Sequence, residues 1–293
     1  MLGRSLFATG TFVVSASVFI QISRGNRGSH YASCAQKRDK VVSQVLVKSD
    51  VCIGTYTAND PCEDRNAFCD DSGFKIAGVF DGHGGWNVSE YASKILIPRL
   101  LTKLKQSSRE KSLDETRADA ITISTFDEVE NSYIESIRTS YKLGFGSVAS
   151  VGSCVCLAIK KDDRLTIANC GDCRAVLGSD ISQNSDNNIS HTVNNQPKYV
   201  ATRLSRDHNA RIPLEVLNLP HQHPNEERGD VVRCHAHQPT ACYVKGRLQL
   251  TRSLGDLYLK YDDFNALPGQ PKSMLVNSCN MIRLLSVKYV LLF

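Results

Sequence analysis

The run Phe80-Asp-Gly-His-Gly-Gly85 follows an apolar stretch, Lys75-Ile-Ala-Gly-Val-Phe80. An acid at the end of a buried strand is held rigidly and can ligate a metal. Gly82 lets the backbone approach closely, so its carbonyl can serve as a ligand too. His83 can give or take a proton near neutral pH. Alone, the run reads equally well as a tight turn with a capping Asp, so its chemistry depends on partners. Three more acidic turns supply them. Glu63-Asp64-Arg65 sits within Asn59-Asp-Pro-Cys-Glu-Asp-Arg65. Asp172 lies in Asn169-Cys-Gly-Asp-Cys-Arg174, and Asp256 ends Thr251-Arg-Ser-Leu-Gly-Asp256. Such carboxylates can serve a hard divalent cation, directly or through its waters.

The elements that must position these turns are legible. Lys75 to Phe80 predicts a buried strand. Asn87 to about Lys105 predicts a helix with Ile95, Leu96, Leu100 and Leu104 at helical spacing. Thr116 to Lys142 predicts a second helix, with Phe126, Val129, Tyr133, Ile137 and Tyr141 on one stripe. Leu143 to Gly152, rich in Gly and Ser, reads as a loop. Ser153–Lys160 and Leu165–Asn169 read as strands joined by a polar hairpin turn. Arg174–Gly178 and Tyr199–Leu204 add two more. Residues 179–198 read as a polar surface insertion. Pro213 limits any helix over Arg211–Leu219 to starting near that residue. The order of strands, helices and strands predicts a mixed fold with helices packed on sheets.

The four acidic motifs, in this order, resemble the type 2C metal-dependent protein serine/threonine phosphatases. The resemblance runs from about Val45 to Asn265. Leu204-Ser-Arg-Asp-His-Asn-Ala210 and Val244-Lys-Gly-Arg-Leu-Gln-Leu250 look nearest the pyruvate dehydrogenase phosphatase-like branch. The implied fold is α+β: two antiparallel β-sheets packed as a sandwich, helices on the outer faces. The implied chemistry is hydrolysis of phosphoserine and phosphothreonine in proteins at a centre of two Mg²⁺ or Mn²⁺ ions. Asp81 would bridge them, the Gly82 carbonyl would bind one, and Glu63 and Asp64 would hold its waters. Asp172 resembles the acid tied to a weaker third ion. His83 would protonate the departing oxygen, and Asp256 would brace the turn near the site.

The chain also departs from that pattern. Asn59 stands where many members carry a phosphate-gripping arginine, although the branch named above tends to carry Asn. An amide can hydrogen-bond phosphate but brings no charge. Cys173 replaces a usual serine. The family's later metal-binding aspartates are not found, and Met274 to Phe293 contains no Asp or Glu. Lys288 to Phe293 resembles the strand that leads into the first of them. The domain over residues 45–293 is therefore expected to be incomplete, with weak metal binding and little or no Mn²⁺-dependent turnover. A phosphoprotein-docking module without turnover is the alternative function.

Composition narrows the rest. The 293 residues carry 35 basic and 30 acidic side chains, a net charge of +5 with no basic run. Nucleic acid is not an expected partner; phosphoproteins are. The 11 cysteines suggest mostly reduced, buried thiols in a domain of this size. Cys154/Cys156 and Cys170/Cys173 have a spacing that zinc could use, but strand-like context favours packing. His221/His223 and His235/His237 read as solvated. Residues 6–22 are apolar with basic flanks, so residues 1–44 read as a leader or membrane anchor outside the fold. Secretory, membrane and mitochondrial targeting all fit, and membrane association would run through residues 6–22.

Overall fold

The computed structural model describes residues 8–13, 18–23, 42–48, 51–56, 60–110, 114–180, 199–221, 223–224, 231–265 and 286–291. Fourteen strands and three α-helices are placed among them. One sheet carries the Asp-Gly-His run and two of the other acidic turns at its strand ends. It contains β5 (Arg65–Asp71), β6 (Phe74–His83), β7 (Gly152–Lys161), β8 (Arg164–Cys170) and β14 (Ser286–Leu291), in the order β14-β8-β7-β6-β5. All neighbours are antiparallel. The short β13 (Leu254–Gly255) joins the N-terminal end of β7, opposite Ser153 and Gly152. β6 already pairs with β7 along that end, so β13 lies on the β8 side.

The second sheet has the order β10-β9-β1-β2-β4-β3. Its strands are β1 (Ala8–Val13), β2 (Val18–Ser23), β3 (Val42–Lys48), β4 (Val51–Tyr56), β9 (Val176–Asp180) and β10 (Tyr199–Arg203). Residues 8–13 and 18–23 thus sit inside a sheet, whereas the sequence reading set 1–44 apart. Short apolar runs rich in Val, Ile and Thr satisfy strand pairing as well as they mimic a leader. No helix among the described residues is long and apolar enough to cross a membrane.

β6 is buried along nearly its whole length because both its faces are covered. Phe74, Ile76 and Phe80 meet the helices, with Val155, Leu157 and Ile159 of β7. Ala77 and Val79 face the other way, with Cys154, Cys156, Ile167, Leu177 and Ile53 between the sheets. The helix layer is α1 (Asn87–Glu110) and α2 (Glu115–Lys142). Asp114 caps α2, its carboxylate accepting from the Arg117 N–H at 2.8 Å. The expected α2 stripe is buried as a unit: Phe126, Val129, Tyr133, Ile137 and Tyr141. α3 (Pro213–His221) begins at its proline and packs with the hairpin of β11 (Val232–His235) and β12 (Gln238–Val244).

Three local details refine or correct the sequence reading. Cys234 and Cys242 are bonded across that hairpin, while Cys62, Cys69, Cys154, Cys156, Cys170 and Cys173 form no disulfide, as the expectation of mostly reduced thiols has it. His223 is buried rather than solvated, and burial with nearby Lys245 lowers its pKa. The loop after α2 contains a 3-10 turn, Gly146–Ala149. Residues 181–198 of the polar insertion lie outside the described residues.

Candidate functional site

Strand alternation decides which motif residues share a face. Ala77 and Val79 point between the sheets, so Asp81 and His83, two and four residues on, share that side. Across the ladder Asp81 pairs with Cys154 and His83 with Gly152. One strand further, Gly171 packs on Cys154: a Cβ there would collide with the Cys154 side chain. Asp172 follows, and Cys154 Sγ donates to its Oδ1 at 3.4 Å. Asp81 and Asp172 therefore lie two strand spacings apart, about 10 Å, at the same end of the sandwich. His83 feels the charge of both.

Glu63 and Asp64 immediately precede β5, beside the end of β6. Ser89 donates from its hydroxyl to the Glu63 carbonyl, and Gly82 has no room for a side chain against that same carbonyl. Arg65 holds the segment down. Its guanidinium donates to the carbonyls of Cys62 and Asp64 at 2.9 and 2.8 Å, and pairs with Glu90 of α1. The result presses Asp64 against Asp81. Burial first, then the charge of Asp81 and a hydrogen bond shared with it, push the Asp64 carboxyl up to about 7; the Gly82 N–H opposes this and the Glu63 charge adds to it. Crowded carboxylates that must share a proton fit a cation. Their all-oxygen character fits Mg²⁺ or Mn²⁺. No group of three or more His, Cys, Asp or Glu side chains among the described residues is gathered closely enough to hold a metal ion. The protein side chains would thus fill only part of a coordination shell, with water in the remainder, as Mg²⁺ commonly accepts.

His83 Nε2 lies 2.8 Å from Oδ2 of Asp256, which is buried. Ser253 Oγ donates to the same oxygen. Burial works against a charged imidazole here, but the Asp256 carboxylate, then Asp81 and Asp172, outweigh it and raise the His83 pKa. Asp256 was expected only to brace a turn; the structure sets it directly on the imidazole. Gly152 makes that contact feasible, since a Cβ there would strike both His83 Nε2 and Asp256 Oδ2.

A second group of residues went unassigned in the sequence. Asn209 Nδ2 donates to Asp172 Oδ2 at 3.0 Å. His208 Nδ1 accepts the Gly171 N–H at 3.2 Å. Burial, helped by Arg252, lowers the His208 pKa to about 3, so the ring is neutral and free to accept. Asp207 pairs with Arg174 and Arg203. The Asp207-His208-Asn209 run thereby clamps the Gly171-Asp172 turn. Its signal was a run of five polar residues, Ser205 to Asn209, directly after the predicted strand Tyr199–Leu204. The four cysteines with zinc-like spacing do not converge: Cys154, Cys156 and Cys173 face between the sheets, Cys170 faces the helices. Asn59 lies outside the described residues.

Comparison with known proteins identifies a family. The family model described as Protein phosphatase 2C matches residues 57–280. A relative named "Probable protein phosphatase 2C 68" from Arabidopsis thaliana is 33% identical over 223 residues, 76% of this chain and 51% of its own length. "Probable protein phosphatase 2C 43" from Oryza sativa subsp. japonica is 29% identical over 215 residues, 73% of this chain and 49% of its own. The chain spans about half the length of the curated relatives it matches. These names specify the family and not the pyruvate dehydrogenase phosphatase-like branch. The crystal structure of a serine-threonine phosphatase 2C from Toxoplasma gondii shares the fold, with a TM-score of 0.53 at 17% identity, over 79% of this chain and 70% of that one. With the match covering most of its length, the chain belongs to the protein phosphatase 2C family.

Proposed function

We propose that this chain hydrolyses phosphoserine and phosphothreonine esters in proteins with water activated by Mg²⁺ or Mn²⁺. The observation that carries the reading is the juxtaposition of Asp64 and Asp81 with His83, itself paired to Asp256. Asp81 and the Gly82 carbonyl would hold the ions, and Glu63 and Asp64 would orient their waters. Asp172, its carboxylate fixed by Asn209, would take a further, weaker ion. Bound there, paired divalent ions lower the pKa of a shared water and neutralise phosphate charge. The protein supplies position and protons. With Nε2–H donating to Asp256, the proton available for transfer sits at Nδ1 of His83. The Asp256 carboxylate raises the His83 pKa against burial and so favours the protonated imidazole, which would donate to the departing serine or threonine oxygen. Asn59 would add a neutral hydrogen bond to the phosphate.

The test is phosphate release from a phosphothreonine peptide across a Mn²⁺ titration, with Asp81→Ala as control. Slow release that needs millimolar Mn²⁺ and vanishes in Asp81→Ala supports the reading. A second reading, a phosphoprotein-docking module, is favoured because no group of three or more His, Cys, Asp or Glu side chains among the described residues is placed to hold a metal ion. Saturable peptide binding with no release, at any Mn²⁺ concentration, would establish that instead. Targeting by residues 6–22 is tested separately, by the cellular distribution of a fluorescent fusion with and without them.

A further inference from the structure

Glu130 and Lys260 form an ion pair with both side chains about 2% exposed, in a part of the protein that the chemistry above does not use. Two such charges are rarely buried without a task, because desolvation offsets most of their attraction. Their remaining hydrogen bonds show where they act. The Glu130 carboxylate accepts the Gly255 N–H at 3.2 Å as well as Lys260 Nζ at 2.8 and 2.9 Å. Lys260 Nζ donates in addition to the Ser253 carbonyl at 2.7 Å. Ser253 and Gly255 flank Leu254 and lead directly into Asp256. That residue has φ 49° and ψ 40°, a left-handed conformation that costs a non-glycine residue energy and persists only where its surroundings impose it.

We infer that the buried Glu130–Lys260 pair is a positioning device for His83: it pins Ser253 and Gly255 from helix α2, and so fixes the strained Asp256 whose carboxylate orients the imidazole. The inference rests on the reading of His83 as the proton donor. The pair touches neither phosphate nor metal ligand, so both are positioning residues and not catalytic ones. Its effect must therefore show wherever proton donation matters and stay small wherever it does not. An alkyl leaving group such as threonine needs the proton. A nitrophenolate leaves without it.

The test uses the full chain with Glu130→Gln, and with the double change Glu130→Gln and Lys260→Met. The double variant leaves no lone buried charge and so guards against simple unfolding. The expected result is a fall of about 10- to 100-fold in kcat on a phosphothreonine peptide, less than the roughly 100- to 10,000-fold of losing a general acid outright because the imidazole is misplaced and not removed, against less than about threefold on p-nitrophenyl phosphate. An activity-free readout accompanies it: the downfield proton resonance of the His83 Nε2–H, assigned by its loss in Asp256→Asn, should broaden or vanish in the double variant without metal. Equal falls on both substrates would mean a merely structural pair. An unchanged resonance in the folded double variant would overturn the inference outright. Should His83→Ala slow both substrates alike, the reading of His83 as acid fails, while the resonance still decides whether the pair holds it.

Discussion

Binding of Mn²⁺ should expel one proton from the Asp64–Asp81 pair below neutral pH and none above it. In the metal-free protein the Asp64 carboxyl is raised from 3.8 to about 7, chiefly by burial and by Asp81. The sign follows: a carboxyl whose folded pKa lies above its unfolded one favours the fold below pH 4 and loses that contribution as pH rises through 7. A cation reverses the preference, since it needs the deprotonated form. At pH 6 a group with this pKa is about 0.9 protonated, and at pH 8.5 nearly fully ionised, by simple titration. Calorimetric titration with Mn²⁺ in two buffers of different ionisation enthalpy should thus report about 0.9 proton released at pH 6 and near zero at pH 8.5. Apparent affinity should rise about tenfold over that interval, about 1.4 kcal/mol. Asp64→Asn should abolish most of the release at pH 6 and flatten the pH dependence. Wild-type release near zero at pH 6, or equal release from Asp64→Asn, would refute the claim that these two carboxylates are crowded together where the cation binds.

Three other perturbations have defined outcomes. Asp256→Asn removes the largest influence holding the His83 pKa up, so the alkaline fall in kcat on phosphothreonine peptide should move to lower pH; a pH–rate profile of unchanged midpoint would contradict the pairing. The same interaction stabilises the fold below the unfolded imidazole pKa and fades as pH rises through the raised one, so the wild-type advantage over Asp256→Asn in thermal unfolding should shrink in alkali. Gly152→Ala drives a methyl between His83 and Asp256 and should abolish peptide hydrolysis while the protein, checked by circular dichroism, still folds. Leu157→Ala opens a cavity under α1 and α2 at a fully buried position and should cost about 2–5 kcal/mol in denaturant unfolding.

The parts of this protein with local periodicity could be read from its sequence. β6 announced itself as an apolar run, and α2 by the stripe that is now seen buried. The Asp-Gly-His turn stood out because its glycines permit backbone contacts that no other residue would. Long-range pairings left no such trace. His83 and Asp256 are 173 residues apart, and only the fold brings them within hydrogen-bonding distance. Glu130 did carry a signal: it lies four residues from Phe126 and from Ile134, a charge on the buried face of an amphipathic helix, where an acid needs a partner. Lys260, in a short turn without period, gave none. The N-terminal run was ambiguous for a general reason. Short runs rich in Val, Ile, Phe and Thr suit a strand as easily as a targeting segment, and the pairing with β9 and β4 is a long-range contact that the sequence does not display.

The central claim is that a hard divalent cation sits on Asp81. The most direct test is anomalous scattering from crystals of the chain soaked in Mn²⁺. The account predicts a peak about 2 Å from an Asp81 carboxylate oxygen and the Gly82 carbonyl, with Glu63 and Asp64 reaching its waters. A fully ordered site in which Asp64 and Asp81 stay hydrogen-bonded to each other, with manganese bound elsewhere or not at all, would contradict it.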